Sequence, residues 1–197
     1  MRGITVGVLF GIVLGAGGAW LDTVFDFSYD QVTVRTLIVG GAWFLLNSGV
    51  VWGLLAFVAG RLARRARFGA IAGVVSLVAA VSAYYLYATT LGDRIWGIGP
   101  LLPVISRWML AAVTLGALLG FLGWLSRRRG AVAYLGITTP LVLSIGAFAV
   151  GVNTYNGSPI TVAANVFVIL ACGLAGAVMV ARRRRIHGAV VDDSQFA

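Results

Sequence analysis

The sequence predicts an all-α polytopic membrane protein: a bundle of six transmembrane helices in one domain, with both ends of the chain cytoplasmic. Three observations carry this. The 197 residues are 60% hydrophobic and 11% charged, with a mean hydropathy of +0.97; a soluble domain carries roughly 25% charged residues. Six apolar stretches reach the roughly 20 residues that a spanning helix needs. The basic side chains are all arginine, and most return in clusters after every second stretch.

Taken in order, span one covers about 3–21. Its apolar run of about 19 residues exceeds the roughly 7–15-residue core of a cleavable signal, so it reads as a retained helix. The segment "LDTVFDFSYD" follows, with Asp22, Asp26 and Asp30. Four-residue spacing would put the three acids on one face of a helix. They lack the alternating acids of a calcium loop, and Arg35 follows as a counter-charge, so the segment reads as a solvated loop. Span two covers about 38–60 and ends in "GRLARRARFG". Span three covers 69–91 and span four 104–125, which runs into Arg127, Arg128 and Arg129. Span five covers 131–151, with Pro140 kinking it and Thr138 and Thr139 beside the freed carbonyl. Span six covers 161–180 and meets Arg182 to Arg185. The spanning domain is thus 1–185, and 186–197 is read as a disordered cytoplasmic tail.

Charge sets the orientation. Arg2, the group Arg61, Arg64, Arg65, Arg67, the run 127–129 and the run 182–185 fall on one side. Only Arg35, Arg94 and Arg107 fall on the other. Twelve against three places both termini inside a plasma membrane by the positive-inside rule. The formal charge of +9 is therefore assigned to membrane topology and to anionic lipid headgroups at the arginine clusters, not to nucleic acid. Trp20, Trp96 and Trp108 near one boundary and Trp124 near the other fit interfacial aromatic belts. The hairpins also repeat: aligning Gly60 with Gly123 aligns Leu62 with Leu125 and Arg64–Arg65 with Arg127–Arg128, the pattern of parallel repeats or simply of alternating hairpins.

Helices gain little hydrophobic energy from associating in lipid, so small residues must let their backbones approach. Gly7, Gly11 and Gly15 form one glycine face; Gly49 and Gly53, Gly69 and Gly73, and Gly116 and Gly120 repeat the spacing. These faces serve either packing within the bundle or docking of a second copy or a larger membrane partner.

Several chemistries are excluded. Cys172 and His187 are each the only one of their kind, so no cysteine or histidine metal site can form, and none is expected. Without lysine no Walker-type phosphate loop exists, and no acid lies inside the spans as drawn. No enzyme activity and no cofactor are expected. What remains is a polar set near the outer side: Asn47, Ser48, Tyr84, Tyr85, Arg107 and Asn165. Asn in hydrocarbon must find a partner, so these residues are either interhelical hydrogen-bonding groups or the lining of an outward-facing pocket with Arg107 as its cation.

The run "WFLLNSGVVWGLLAFVAGRLARRARFGAIAGVVSLVAAVSAYY", from Trp43 to Tyr85, resembles a family of small actinobacterial six-span integral membrane proteins of unknown function. The resemblance rests on Asn47, Ser48, Gly49, Trp52, Gly60, Arg61, Tyr84 and Tyr85, and implies a plasma-membrane location without a mechanism. Two functional readings stand. The first is a non-enzymatic accessory, assembly or self-associating subunit. The alternative is a solute-binding transporter subunit, similar in gross architecture to the substrate-capture components of energy-coupling-factor transporters. There Arg107 would favour an anionic solute and residues 22–35 would cover the site.

Overall fold

The computed structural model describes residues 2–24, 46–91, 98–128 and 133–139, with single positions at 38, 43, 170, 174, 177, 178 and 181. Every described element is helical: α1 (Arg2–Val24), α2 (Gly49–Arg61), α3 (Ala66–Thr90) and α4 (Ile98–Leu125), then a helical stretch at 133–139. The chain forms two compact units, Met1–Gly136 and Ile137–Ala197. In the second, positions 170, 174, 177, 178 and 181 are helical, and Leu170, Leu174 and Val178 are exposed at four-residue spacing. The kink expected at Pro140, most of spans five and six, and the tail from 186 lie outside the described residues.

Among the described residues three helices are long and apolar enough to cross a bilayer: Arg2–Val24, Ala66–Thr90 and Leu101–Leu125. Two expectations need correction. The span expected over 38–60 is interrupted. The helix ahead of the break is closed by the Asn47 N–H bonding the Trp43 carbonyl, and residues 47 and 48 form a turn. The chain then restarts as the 13-residue α2. The reason is capping chemistry: Ser48 takes an extended backbone (φ −74°, ψ 135°) and its hydroxyl accepts from the Val51 N–H at 3.3 Å, a preferred use of serine. The indole of Trp52 donates to the Leu46 carbonyl at 2.6 Å, so that carbonyl has a partner across the break. In lipid a broken helix must satisfy its backbone locally in this way.

The second correction concerns Asp22. α1 runs to Val24, so Asp22 belongs to its last full turn and is half-buried rather than part of a solvated loop.

The helices alternate in direction, as their contacts show. Along α1, Gly7 lies against Ser76, Gly11 against Ala79 and Ala80, and Gly15 against Ala80 and Tyr84, so α1 and α3 run parallel. A Cβ at Gly11 or Gly15 would overlap the carbonyl oxygen of Ser76 or Ala80. These are glycines because backbone meets backbone there. Gly69 and Gly73 of α3 meet Gly120 and Gly116 of α4 antiparallel in the same manner. Gly53 is looser, facing the Leu119 side chain at 3.1 Å, and a Cβ at Gly49 would meet nothing within 4 Å. The sequence spacing alone did not separate these last two from the seams. Where α2 and α4 cross, a Cβ on Gly60 would overlap the Gly120 carbonyl oxygen and one on Gly123 the Phe57 carbonyl oxygen. Those contacts exchange under the Gly60–Gly123 alignment. The relation stays local, because α3 lies along α4 whereas α1 has far fewer contacts with α2 and none with α4.

The core is small-residue and apolar: Ala56, Leu77, Val81 and Ala112, with Trp52, Tyr85, Met109 and Leu119 packed against it. Large apolar side chains such as Leu9, Phe10, Val13, Leu86 and Leu110 are exposed on the outside, as a bilayer solvent allows.

Candidate functional site: an acidic centre at one end of the bundle

α1 and α3 bring the glycine seam to an end at Gly18, and the space above it is filled by polar side chains. A Cβ at Gly18 would meet Asn47 Oδ1 at 3.0 Å and Tyr84 Cδ2 at 3.7 Å. One turn further along α1 stands Asp22. Its Oδ1 accepts from the Trp43 indole N–H and from the Asn47 amide at 3.3 Å. Its Oδ2 accepts from the Tyr84 hydroxyl. Three segments therefore converge on one carboxylate: the last turn of α1, the residues flanking the break before α2, and the last third of α3.

Aromatic rings close the arrangement. Trp52 meets Tyr84 edge to face at 6.3 Å, and Tyr84 meets Tyr85 likewise at 5.2 Å, with offsets that suit the ring quadrupoles. Asn47 reaches Asp22 from the break itself, while Trp52 one turn into α2 reaches back to Leu46.

The electrostatics follow from donor and acceptor roles. An ionised carboxylate only accepts and offers about four lone-pair sites. All three neighbours donate, so the ionised form matches them, and three of those sites are used. Among the described residues no basic side chain pairs with Asp22.

The residues expected from sequence distribute unevenly. Asn47 and Tyr84 are in the centre, and Tyr85 adjoins it with its ring against the core. Ser48 is buried as the α2 cap. Arg107 is exposed on α4, an element without contact to α1. Asn165 lies outside the described residues. Among the described residues the charged group at the centre is an acid, Asp22. Asp22, Trp43 and Gly18 are the additions that sequence reading missed. A signal was available for two of them: Gly11, Gly15, Gly18 and Asp22 are spaced four, three and four apart, so they continue one helix face.

At the opposite end, arginines brace the bundle. Arg61 donates to the buried Ser126 hydroxyl, which itself donates to the Gly123 carbonyl at 2.6 Å. Arg127 donates to the carbonyls of Arg61 and Ala63 at 3.1 and 3.3 Å. The carbonyl at Arg61 belongs to the last turn of α2, where a cation also complements the helix dipole. Arg128 stacks 4.4 Å over Trp124. Among the described residues no group of three or more His, Cys, Asp or Glu could hold a metal ion.

No curated protein sequence and no solved structure shows significant similarity to the chain. A family model does match, over residues 38–192, and its description is a family of unknown function, DUF6518. That span takes in the broken second segment, α3, α4 and all that follows to residue 192, and leaves α1 with Asp22 outside. With well over half of its length matched, the chain belongs to the DUF6518 family of unknown function.

Proposed function

We propose that this chain is a six-span, non-enzymatic protein of the plasma membrane, with both termini cytoplasmic, that binds a small organic cation at the Asp22 centre. It would act as a solute-binding membrane subunit, and the solute would reach the centre from the outer side. The observation that carries the reading is the setting of Asp22: its carboxyl oxygens accept from Trp43, Asn47 and Tyr84, and no described basic group pairs with it. Ionisable groups within spanning helices are rare, expensive and functional by default. A helix broken at membrane depth is a further pointer to a binding site.

An ammonium group fits this chemistry. It offers a full positive charge to the remaining lone pairs of the carboxylate, and the nearby Trp43, Trp52 and Tyr84 are of the side-chain types that attract such a cation. One charged contact is worth about 1.5–3 kcal/mol and each cation–π contact about 0.5–2 kcal/mol. Together these support affinity in the millimolar to micromolar range. An anionic solute at Arg107 has less support, since that side chain stands apart from the polar centre. A docking role for the glycine faces also has less support, because Gly7, Gly11, Gly15, Gly73, Gly116 and Gly120 are occupied inside the bundle.

The test is titration of the purified protein with tetramethylammonium, choline and polyamines, against acetate and other carboxylates. Intrinsic tryptophan fluorescence and calorimetry are the readouts. Saturable binding of ammonium compounds that falls at least about tenfold in Asp22→Asn supports the reading. Binding unchanged in Asp22→Asn, or restricted to carboxylates, overturns it. A flat response with a companion chain co-purifying in mild detergent returns the protein to an accessory role.

A further inference from the structure

The end of the bundle opposite Asp22 contains a cavity of about 330 Å³, lined by Arg2, Gly3 and Ile4 of α1, by Leu62, Ala63, Arg64 and Arg65 of the α2–α3 turn, and by Phe68 of α3. That volume lies at the lower end of the roughly 300–1,000 Å³ usual for ligand pockets. We propose that this cavity is a specific site for the phosphate headgroup of an anionic phospholipid.

The described guanidiniums of this end divide into two sets. Arg61, Arg127 and Arg128 are committed to Ser126, to backbone carbonyls and to the Trp124 ring. Arg67 lies 5.0 Å over the Phe68 ring. Arg2, Arg64 and Arg65 are exposed, have no described side-chain partner, and line the cavity from two separate parts of the chain. Three arginines lining one cavity bring it guanidinium groups within side-chain reach, and guanidinium binds phosphate oxygens bidentately. The backbone adds to the same field. α3 starts here with no side chain capping its first turn, so its free N–H groups contribute the positive end of the helix dipole.

The rest of the lining separates a lipid from free phosphate. Ile4, Leu62 and Phe68 are apolar walls of the same cavity, and Leu62 and Phe68 are 44% and 40% exposed. Such a surface is wasted on a small hydrated anion, but it receives the glycerol and upper acyl carbons of a lipid whose phosphate sits among the arginines. Arg65 also turns the chain into α3, with φ −125° and ψ 150°. Lipid at this site would therefore clip the start of α1 to the α2–α3 turn.

The experiment uses the full chain, delipidated in detergent. Phosphatidylglycerol, phosphatidylcholine and inorganic phosphate are added separately, and retention is read by native mass spectrometry and thermal unfolding. Phosphatidylglycerol is expected to be retained at one stoichiometric equivalent and to raise the unfolding temperature, with phosphatidylcholine and phosphate without effect. The double variant Arg64→Gln/Arg65→Gln should lose at least about tenfold in phosphatidylglycerol affinity, since each basic group near an anionic lipid contributes a sizeable share. Arg128→Gln, outside the cavity, should retain it. Arg2→Gln alters the cavity from α1 and leaves the turn intact, so its loss of retention would separate a binding defect from a folding defect in the double variant. Equal loss in Arg128→Gln, full retention in Arg2→Gln and the double variant, or an equal response to inorganic phosphate would each overturn the proposal.

Discussion

The two ends of the helical bundle treat charge in opposite ways. At one end a single carboxylate draws three neutral donors from segments far apart in the chain, and nothing described neutralises it. At the other end several arginines are spent on a serine hydroxyl, backbone carbonyls and an aromatic ring, while Arg2, Arg64 and Arg65 surround open space. Hydrogen-bond satisfaction and charge neutralisation are thus separate requirements. Asp22 has the first without the second. Among the described residues the side chains of Arg2, Arg64 and Arg65 have neither, and the two proposed ligands are accordingly of opposite sign.

Between the ends the glycine seams hold the register on which both sites depend, so breaking a seam should have the largest effect. In Gly73→Ala the added Cβ would overlap the Gly116 carbonyl oxygen and lie 2.8 Å from the Gly120 Cα. Backbone cannot move aside as a side chain does, and the expected loss is about 3 kcal/mol, the upper part of the range for overpacking. Thermal unfolding in detergent measures it; an unchanged midpoint would mean that α3 and α4 pack less tightly than their contacts imply.

Next comes the acidic centre itself. Asp22→Leu removes the common acceptor of Trp43, Asn47 and Tyr84 and leaves three part-buried donors without it. A cost of about 2–3 kcal/mol is expected, from the penalty of unpaired buried donors. Asp22→Asn keeps an acceptor oxygen and should cost about 1 kcal/mol. If the two substitutions prove equal, the donors do not depend on the carboxylate and the centre is only a neighbourhood.

A third comparison lies within the arginine end. Arg61→Ala strips the buried Ser126 of its charged donor and should cost about 1.5–2 kcal/mol, as bonds to charged groups do. Arg64→Ala, whose guanidinium has no described partner, should stay within about 0.5 kcal/mol in lipid-free detergent. Equal losses would erase the division between bracing and free arginines.

The smallest pair tests the break before α2. Ser48→Ala removes the hydroxyl that accepts from Val51 and should cost about 1 kcal/mol, the usual value of a helix N-cap. Faster hydrogen exchange at the amides of residues 50 and 51 would accompany the loss. Gly49→Ala next door has open space at its Cβ and should fall within about 0.5 kcal/mol of the parent. A large effect there would show that the break, and not only the seams, is tightly packed.

The sequence by itself determined the solvent, the helical class and where most of the glycine faces lie, because each follows from local composition and from the 3.6-residue repeat. Lengths of apolar sequence are legible without any knowledge of neighbours. Asn47 and Tyr84 could be picked out for the same reason: a polar side chain inside an apolar helix requires a partner wherever that partner is. Its identity was another matter. Tyr84 and Asp22 are separated by 62 positions, Trp43 and Asp22 by 21, and Arg61 and Ser126 by 65. Hydropathy ended the first span at Leu21 and so left Asp22 to the loop. Only the parallel packing of α1 on α3 made it a helical residue facing three donors. Likewise all the arginines of a cluster look alike in sequence. Whether one braces the bundle or lines a cavity was decided by which groups the tertiary fold places within reach of a guanidinium, because hydrogen bonding acts over a few ångströms of space and is blind to distance along the chain.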